Sequence, residues 1–130
     1  MPLPNEELMQ RYADAGHRGD IDTVLECYAD DIVMHVPGRN PLAGDYHGKQ
    51  GVLNYTKRFI ELTGGTWGVT QVVDVFANER RGLLLLKVWF ERPGKRVEVS
   101  RVDLYRIENA KLAEIWISDD DQYAVDEFFT

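Results

Sequence analysis

Apolar residues recur at helical spacing through the first half of the chain and at alternate positions through the second, with the change of period near Thr66. Leu8, Met9, Tyr12, Ala13 and Ala15 form one stripe of period 3.6 and predict a first helix ending near residues 16–19. Asn5 is its expected N-cap, with Glu6 and Glu7 in the first turn facing the positive end of the helix dipole. Asp20 or Asp22 caps a second helix with Ile21, Val24, Leu25 and Tyr28 inward, closed by Asp30 and Asp31. Residues 32–36 read as a short strand stopped by Pro37 and Gly38, and residues 37–48, rich in Gly and Pro, as a loop. A third helix over 49–62 turns Val52, Leu53, Tyr55, Thr56, Phe59, Ile60 and Leu62 inward and ends at Gly64 and Gly65.

Beyond Thr66, Trp67, Val69, Gln71, Val73 and Val75 alternate with their neighbours, and a turn follows at 78–82. Residues 83–92 form a long strand that begins apolar on both faces, which predicts a central position. Pro93 and Gly94 make a tight hairpin turn into a strand over 97–107, and residues 108–111 turn into a last strand. There Leu112, Glu114 and Trp116 share one side, and Ala113, Ile115 and Ile117 the other. The order α-α-β-α-β-β-β-β, with helices and strands segregated and short hairpins between strands, predicts an α+β domain with a mostly antiparallel sheet.

The chain has 130 residues, which fits a single domain over 1–130 with one core. A net charge of −7 argues against nucleic acid as a partner, because phosphate binding needs a basic face. Cys27 is the only cysteine, so no intrachain disulfide forms, and among Leu25, Tyr28 and Ala29 it reads as a small buried apolar residue. Neither a secretion signal nor an apolar run of membrane-spanning length stands out, and a cytoplasmic location is expected. His17, His35 and His47 lack the HxH or HExxH spacing of a metal site, and neither metal nor cofactor is expected. No phosphate loop and no G-x-S-x-G elbow occur.

Three segments carry a resemblance. They are DDIVMHVPGRNPLAGDYHGKQGV at 30–52, the double glycine before the long strands, and LAEIWISDDDQYAVDEFF at 112–129. With the element order over nearly the whole length, they make the chain similar to the SnoaL-like polyketide cyclase branch of the nuclear transport factor 2-like (NTF2-like, cystatin-like) superfamily. The resemblance implies a cone-shaped half-barrel, a strongly curved sheet packed on three N-terminal helices, with an apolar pocket inside the cone. It implies homodimers through the outer sheet face. It also implies a pocket aspartate late in the chain acting as acid/base, which matches Asp121, and a pocket histidine on the first strand, which matches His35.

A carboxylate held in an apolar pocket gains proton affinity, enough to take a proton from carbon beside a carbonyl and return it elsewhere. Asp121 is the expected catalytic acid/base with His35 assisting; the competing reading of Asp121 is an N-cap for a last helix over 122–128. Tyr12 and Tyr55 are candidate hydrogen-bond donors to a substrate oxygen, and Phe59 and Trp116 candidate walls for a flat ligand. Arg101, Asp103 and Tyr105 share one strand face, read as facing solvent or a dimer partner, with a pocket lining as the alternative. Two functions follow: a cofactor-free cyclase, isomerase or dehydratase acting on a small hydrophobic carbonyl compound, or a non-catalytic dimeric module that binds a hydrophobic small molecule.

Overall fold

A computed structural model describes residues 3–130. The elements are α1 (Pro4–Arg18), α2 (Ile21–Cys27), β1 (Tyr28–Val36), β2 (Gly44–His47), α3 (Gly48–Thr63), β3 (Trp67–Ala77), β4 (Arg81–Arg92), β5 (Lys95–Glu108), β6 (Lys111–Asp119) and α4 (Gln122–Phe128). The strands form one curved, unclosed sheet in the order β2-β1-β6-β5-β4-β3. Every pairing is antiparallel except β1 with β6. That parallel pair is possible because α3 and four strands separate its members in sequence, far more chain than a hairpin supplies. Two register shifts in β3, one at Ala113 of β6 and one in β1 between Tyr28 and Val33 bend the sheet.

Alternation along β4 and β5 defines the two faces. Leu84, Leu86, Val88 and Phe90 are buried on the concave side, paired with Asp103, Arg101, Val99 and Val97. Leu83, Leu85, Lys87 and Trp89 stand on the convex side, paired with Leu104, Val102, Ser100 and Glu98. The helices cover the concave side. Met9, Cys27, Ile32, Phe90, Tyr105, Leu112 and Ile115 are sealed there. Phe59, Phe90, Phe128 and Phe129 cluster at the end where α4 folds under, with Phe128 edge-on to Phe129 at 4.8 Å and Phe59 edge-on to Phe90 at 5.2 Å. Arg92 and Lys95 donate to the carbonyls of Phe128 and Glu127, at 3.1 and 2.9 Å, and so satisfy α4's free C-terminal acceptors.

Several expectations change. Asn5 does not cap α1: it lies inside the helix, and its amide donates to the carbonyls of Asn78 and Glu79, tying α1 to the β3–β4 turn. Asp20, rather than Asp22, caps α2, accepting from the Thr23 amide. Ile21 is half exposed, since it opens α2 on the solvent side. The first strand begins at Tyr28, so Asp30 and Asp31 lie in it as exposed positions. The stretch read as loop contains β2, which pairs with the end of β1. Asn109 and Ala110 both have positive φ, the conformation of the two-residue turns that match the twist of a hairpin.

Gly82 fixes how closely α1 approaches the sheet. It is buried, and a methyl group there would overlap the side chain of the fully covered Met9. Gly82→Ala is therefore expected to cost about 1–3 kcal/mol, read as a lower urea midpoint; an unchanged midpoint would show that α1 yields without loss.

Candidate functional site

The concave face and the helices line a partly open cavity of about 230 Å³. Its wall is mainly apolar: Met34 from β1, Val52 and Phe59 from α3, Trp67 and Val69 from β3, Leu86, Val88 and Phe90 from β4, and Ile117 from β6. Polar groups enter from four elements, namely Tyr12 from α1, Tyr28 from β1, Tyr55 from α3, and Arg101 with Asp103 from β5. The spacing of two along β5 puts Arg101, Asp103 and Tyr105 on the concave side, which corrects the expectation that this face meets solvent or a partner.

Asp103 carries the least satisfied polar group. Its Oδ2 accepts from the Tyr105 hydroxyl at 3.3 Å, while Oδ1 is buried and has no hydrogen-bond partner among the described residues. Burial pushes its pKa up to about 6, with Arg101 and the Tyr105 bond opposing and Asp119 reinforcing the rise. Beside it, Arg101 Nε and Nη2 donate to Asp119 at 2.7 and 3.1 Å, and the guanidinium lies over the Phe90 ring at 5.2 Å. The two side chains are 13% and 2% exposed. Burial is the largest single influence and disfavours the arginine cation, but the bond to Asp119 together with the charge interactions with Tyr55, Asp119 and Asp103 outweighs it and holds Arg101 charged.

The phenols remain protonated at neutral pH. Burial pushes Tyr12 up to about 12 against the hydrogen bonds it shares, and raises Tyr28 and Tyr105 well above the usual range. Tyr55 is raised by burial too, with Arg101 opposing. The hydroxyls of Tyr12 and Tyr28 lie 2.9 Å apart, so one donates to the other and the acceptor keeps a proton to offer. The cavity thus presents O–H donors around one titratable carboxylate.

Of the residues singled out from the sequence, Tyr12, Tyr55 and Phe59 line this cavity together. Asp121, His35 and Trp116 do not. Asp121 is exposed and caps α4, accepting from the Ala124 amide at 3.1 Å. The strand ends at Asp119, so the acid that turns inward is Asp119, opposite Arg101, and the next residue, Asp120, accepts from the Ser100 amide instead. His35 and Trp116 pair in register on the convex side, because Met34 and Ile115 take the inner positions. There the His35 ring bridges Asp45 at 2.7 Å and Glu114 at 2.5 Å and stacks on Trp116 at 5.5 Å. Among the described residues no group of three or more His, Cys, Asp or Glu side chains is arranged to hold a metal ion.

The chain belongs to the SnoaL-like domain family, whose sequence profile matches residues 9–115. It is similar to Bal32a from a soil-derived mobile gene cassette, with 28% identity, a TM-score of 0.88, and 98% of this chain and 97% of that one covered. An NTF2-like protein of Burkholderia pseudomallei shares 18% identity at a TM-score of 0.85, covering 99% of each chain, a likeness of fold. Protein Rv0034 of Mycobacterium tuberculosis, itself uncharacterised, is 26% identical over 110 residues, 84% of this chain and 83% of its own. No helix among the described residues is long and apolar enough to cross a membrane.

The convex cluster has a pH signature. The bonds to Glu114 and then Asp45 raise the His35 pKa against partial burial, and the bond to His35 lowers that of Glu114. The histidine contribution is complete below the unfolded value of about 6.5 and fades as pH rises through the raised folded value. The glutamate contribution is present above about 4.3 and fades as pH falls through its lowered value. His35→Gln should therefore destabilise the fold by on the order of 1 kcal/mol near pH 5.5 and by little at pH 9. Urea melts at both pH values check this, and an equal loss at the two would discount the charged histidine.

Proposed function

We propose that the chain is a cofactor-free acid/base enzyme acting on a small hydrophobic carbonyl compound, as a cyclase, isomerase or dehydratase, with Asp103 as the proton-transfer group in place of Asp121. The observation that carries this reading is the Asp103 carboxyl, set among apolar walls and titrating at about 6 beside protonated phenols. A base is most effective when its proton affinity lies near the working pH. At neutrality Asp103 is mostly ionised yet poorly solvated, so it takes a proton from carbon next to a carbonyl. The enolate oxygen accepts a hydrogen bond from Tyr55 or Tyr12, a kind of contact worth roughly 10²–10³ in rate. Returning the proton at another carbon completes an isomerisation. Attack of the enolate carbon on a second carbonyl, whose oxygen takes the proton from Asp103, completes a cyclisation, and departure of a β-hydroxyl with that proton as water completes a dehydration.

A second reading, a module that binds without turnover, draws on the same cavity: at about 230 Å³ it exceeds the ~150 Å³ apolar space that admits benzene. In either case we place a homodimer on the convex face, where half-buried Leu83, Leu85, Val102, Leu104 and Trp116 adjoin. Leu104→Asp is expected to convert the dimer to a monomer in sedimentation; a sedimentation profile unchanged by the substitution moves the interface elsewhere.

Deuterium exchange tests the enzyme reading. Cyclic ketones of one and two rings are incubated with the protein in D₂O, and loss of the α-proton signal is followed by NMR. The wild type should accelerate exchange, with a rate that rises with pH through about 6. Asp103→Asn should lower it by about 10²-fold or more, and Asp121→Asn should leave it unchanged. Ketones that bind and exchange no faster than in buffer would decide for the binding module.

A further inference from the structure

The cavity region holds one cation and two carboxylates, and the cation bonds only one of them. Arg101 and Asp103 are two residues apart on one face of β5, about 6–7 Å along the strand, which an arginine side chain spans. Yet Nε and Nη2 of Arg101 both reach across to β6, where Asp119 takes them at 2.7 and 3.1 Å. Register accounts for the choice: Arg101 lies directly opposite Asp119, and Asp103 lies opposite Ile117. The Phe90 ring, 5.2 Å from the guanidinium carbon, holds the plane in that direction. Asp103 Oδ1 is left without a partner among the described residues although a buried cation stands on its own strand. A buried oxygen without a hydrogen bond is costly, so something must keep the arginine from turning to it.

We propose that Asp119 is a positioning residue: its two-point bond holds the Arg101 cation off Asp103 and leaves Asp103 free to take and release the proton that the reaction moves. This rests on the reading of Asp103 as the proton-transfer group, but its test needs no turnover.

The groups that face Asp103 are Arg101 and Tyr105 from β5, Asp119 from β6, Tyr12 from α1, Tyr28 from β1 and Tyr55 from α3, while β4 sets Leu84 opposite it. With the phenols protonated, Arg101 and Asp119 are the charged members of this set. Arg101 draws the proton off Asp103, and Asp119, the weaker influence of the two, favours keeping it. Asp119→Asn removes the weaker influence and frees the cation to turn towards Asp103. Both effects lower the pH at which Asp103 titrates. Replacing both residues, Arg101→Gln with Asp119→Asn, removes the stronger influence as well and raises that pH.

The test is carbon NMR of the full chain labelled at aspartate carboxyl carbons, with the Asp103 signal assigned by its loss in Asp103→Asn. Asp119→Asn should move the Asp103 midpoint down by about one pH unit or more, tenfold in proton affinity. The double variant should move it up from the wild type. Midpoints that stay put, or that move in the same direction in both variants, overturn the proposal. If Asp119→Asn does not fold, the double variant, which has no lone buried charge from this pair, decides alone: a midpoint at or below that of the wild type overturns it. Opposite shifts without ketone exchange would uphold this role for Asp119 while removing the proposed reaction.

Discussion

The bond between Arg101 and Asp119 joins β5 to β6 where the sheet meets α4, and much of the molecule is arranged around it. Two charges lose their water here, a cost that only good geometry and further contacts offset. The geometry is two-point, and Phe90 covers the guanidinium face. Phe90 in turn packs on Phe59, Phe128 and Phe129, so the aromatic cluster that docks α3 and α4 also walls the ion pair. Removing one partner leaves a lone buried charge, typically a loss of 3–5 kcal/mol, whereas removing both need not. The fold therefore accommodates both members or neither, and the loss of either one alone is the costly case.

The cavity exists because α1 and α3 are held against the sheet by different means. α1 rests on Gly82 through Met9 and is tied to the β3–β4 turn by Asn5. α3 packs through Val52 and Phe59, with Tyr55 edge-on to Tyr46 of β2 at 5.2 Å. Tyr12 and Tyr55 thus reach the cavity from helices fixed independently of each other. Their hydroxyls can meet a ligand oxygen only while both helices stay seated, which couples the donor geometry to core packing.

The bounds of α1 and α3 were legible to within one or two positions, because Leu8, Met9, Tyr12 and Ala15 in α1 and Val52, Tyr55, Phe59 and Leu62 in α3 recur at helical spacing, whereas α2 ends at Cys27, short of the expected Asp30 and Asp31. Strand β2 was not, since Gly44, Asp45, Tyr46 and His47 are four residues with little strand propensity, and only pairing with β1 makes them extended. The site was legible in part. Tyr12, Tyr55 and Phe59 follow from helix faces, but strand faces do not announce which side is inner. Leu83 to Leu86 are apolar on both sides of β4, so the sequence gives no reason to turn Asp103 inward rather than Leu104. The resemblance pointed to Asp121, but the end of the strand separates the three adjacent aspartates: Asp119 is the last residue bound by the sheet alternation, and Asp121 is already the cap of a helix.

Carboxylates on the two sides of this sheet behave oppositely, and the pleat is the reason. Glu114 on the convex face keeps contact with solvent and bonds a histidine and an arginine, so its proton affinity falls. Asp103, on the neighbouring strand but the concave face, has one phenol bond and an unpaired oxygen, so its proton affinity rises. A shift of one residue along either strand would exchange these surroundings. Residue type alone therefore cannot tell which carboxylate of such a fold holds its proton most tightly. That is found by asking which carboxylate the register turns inward and which of those the cation leaves unpaired, and here both conditions meet at Asp103.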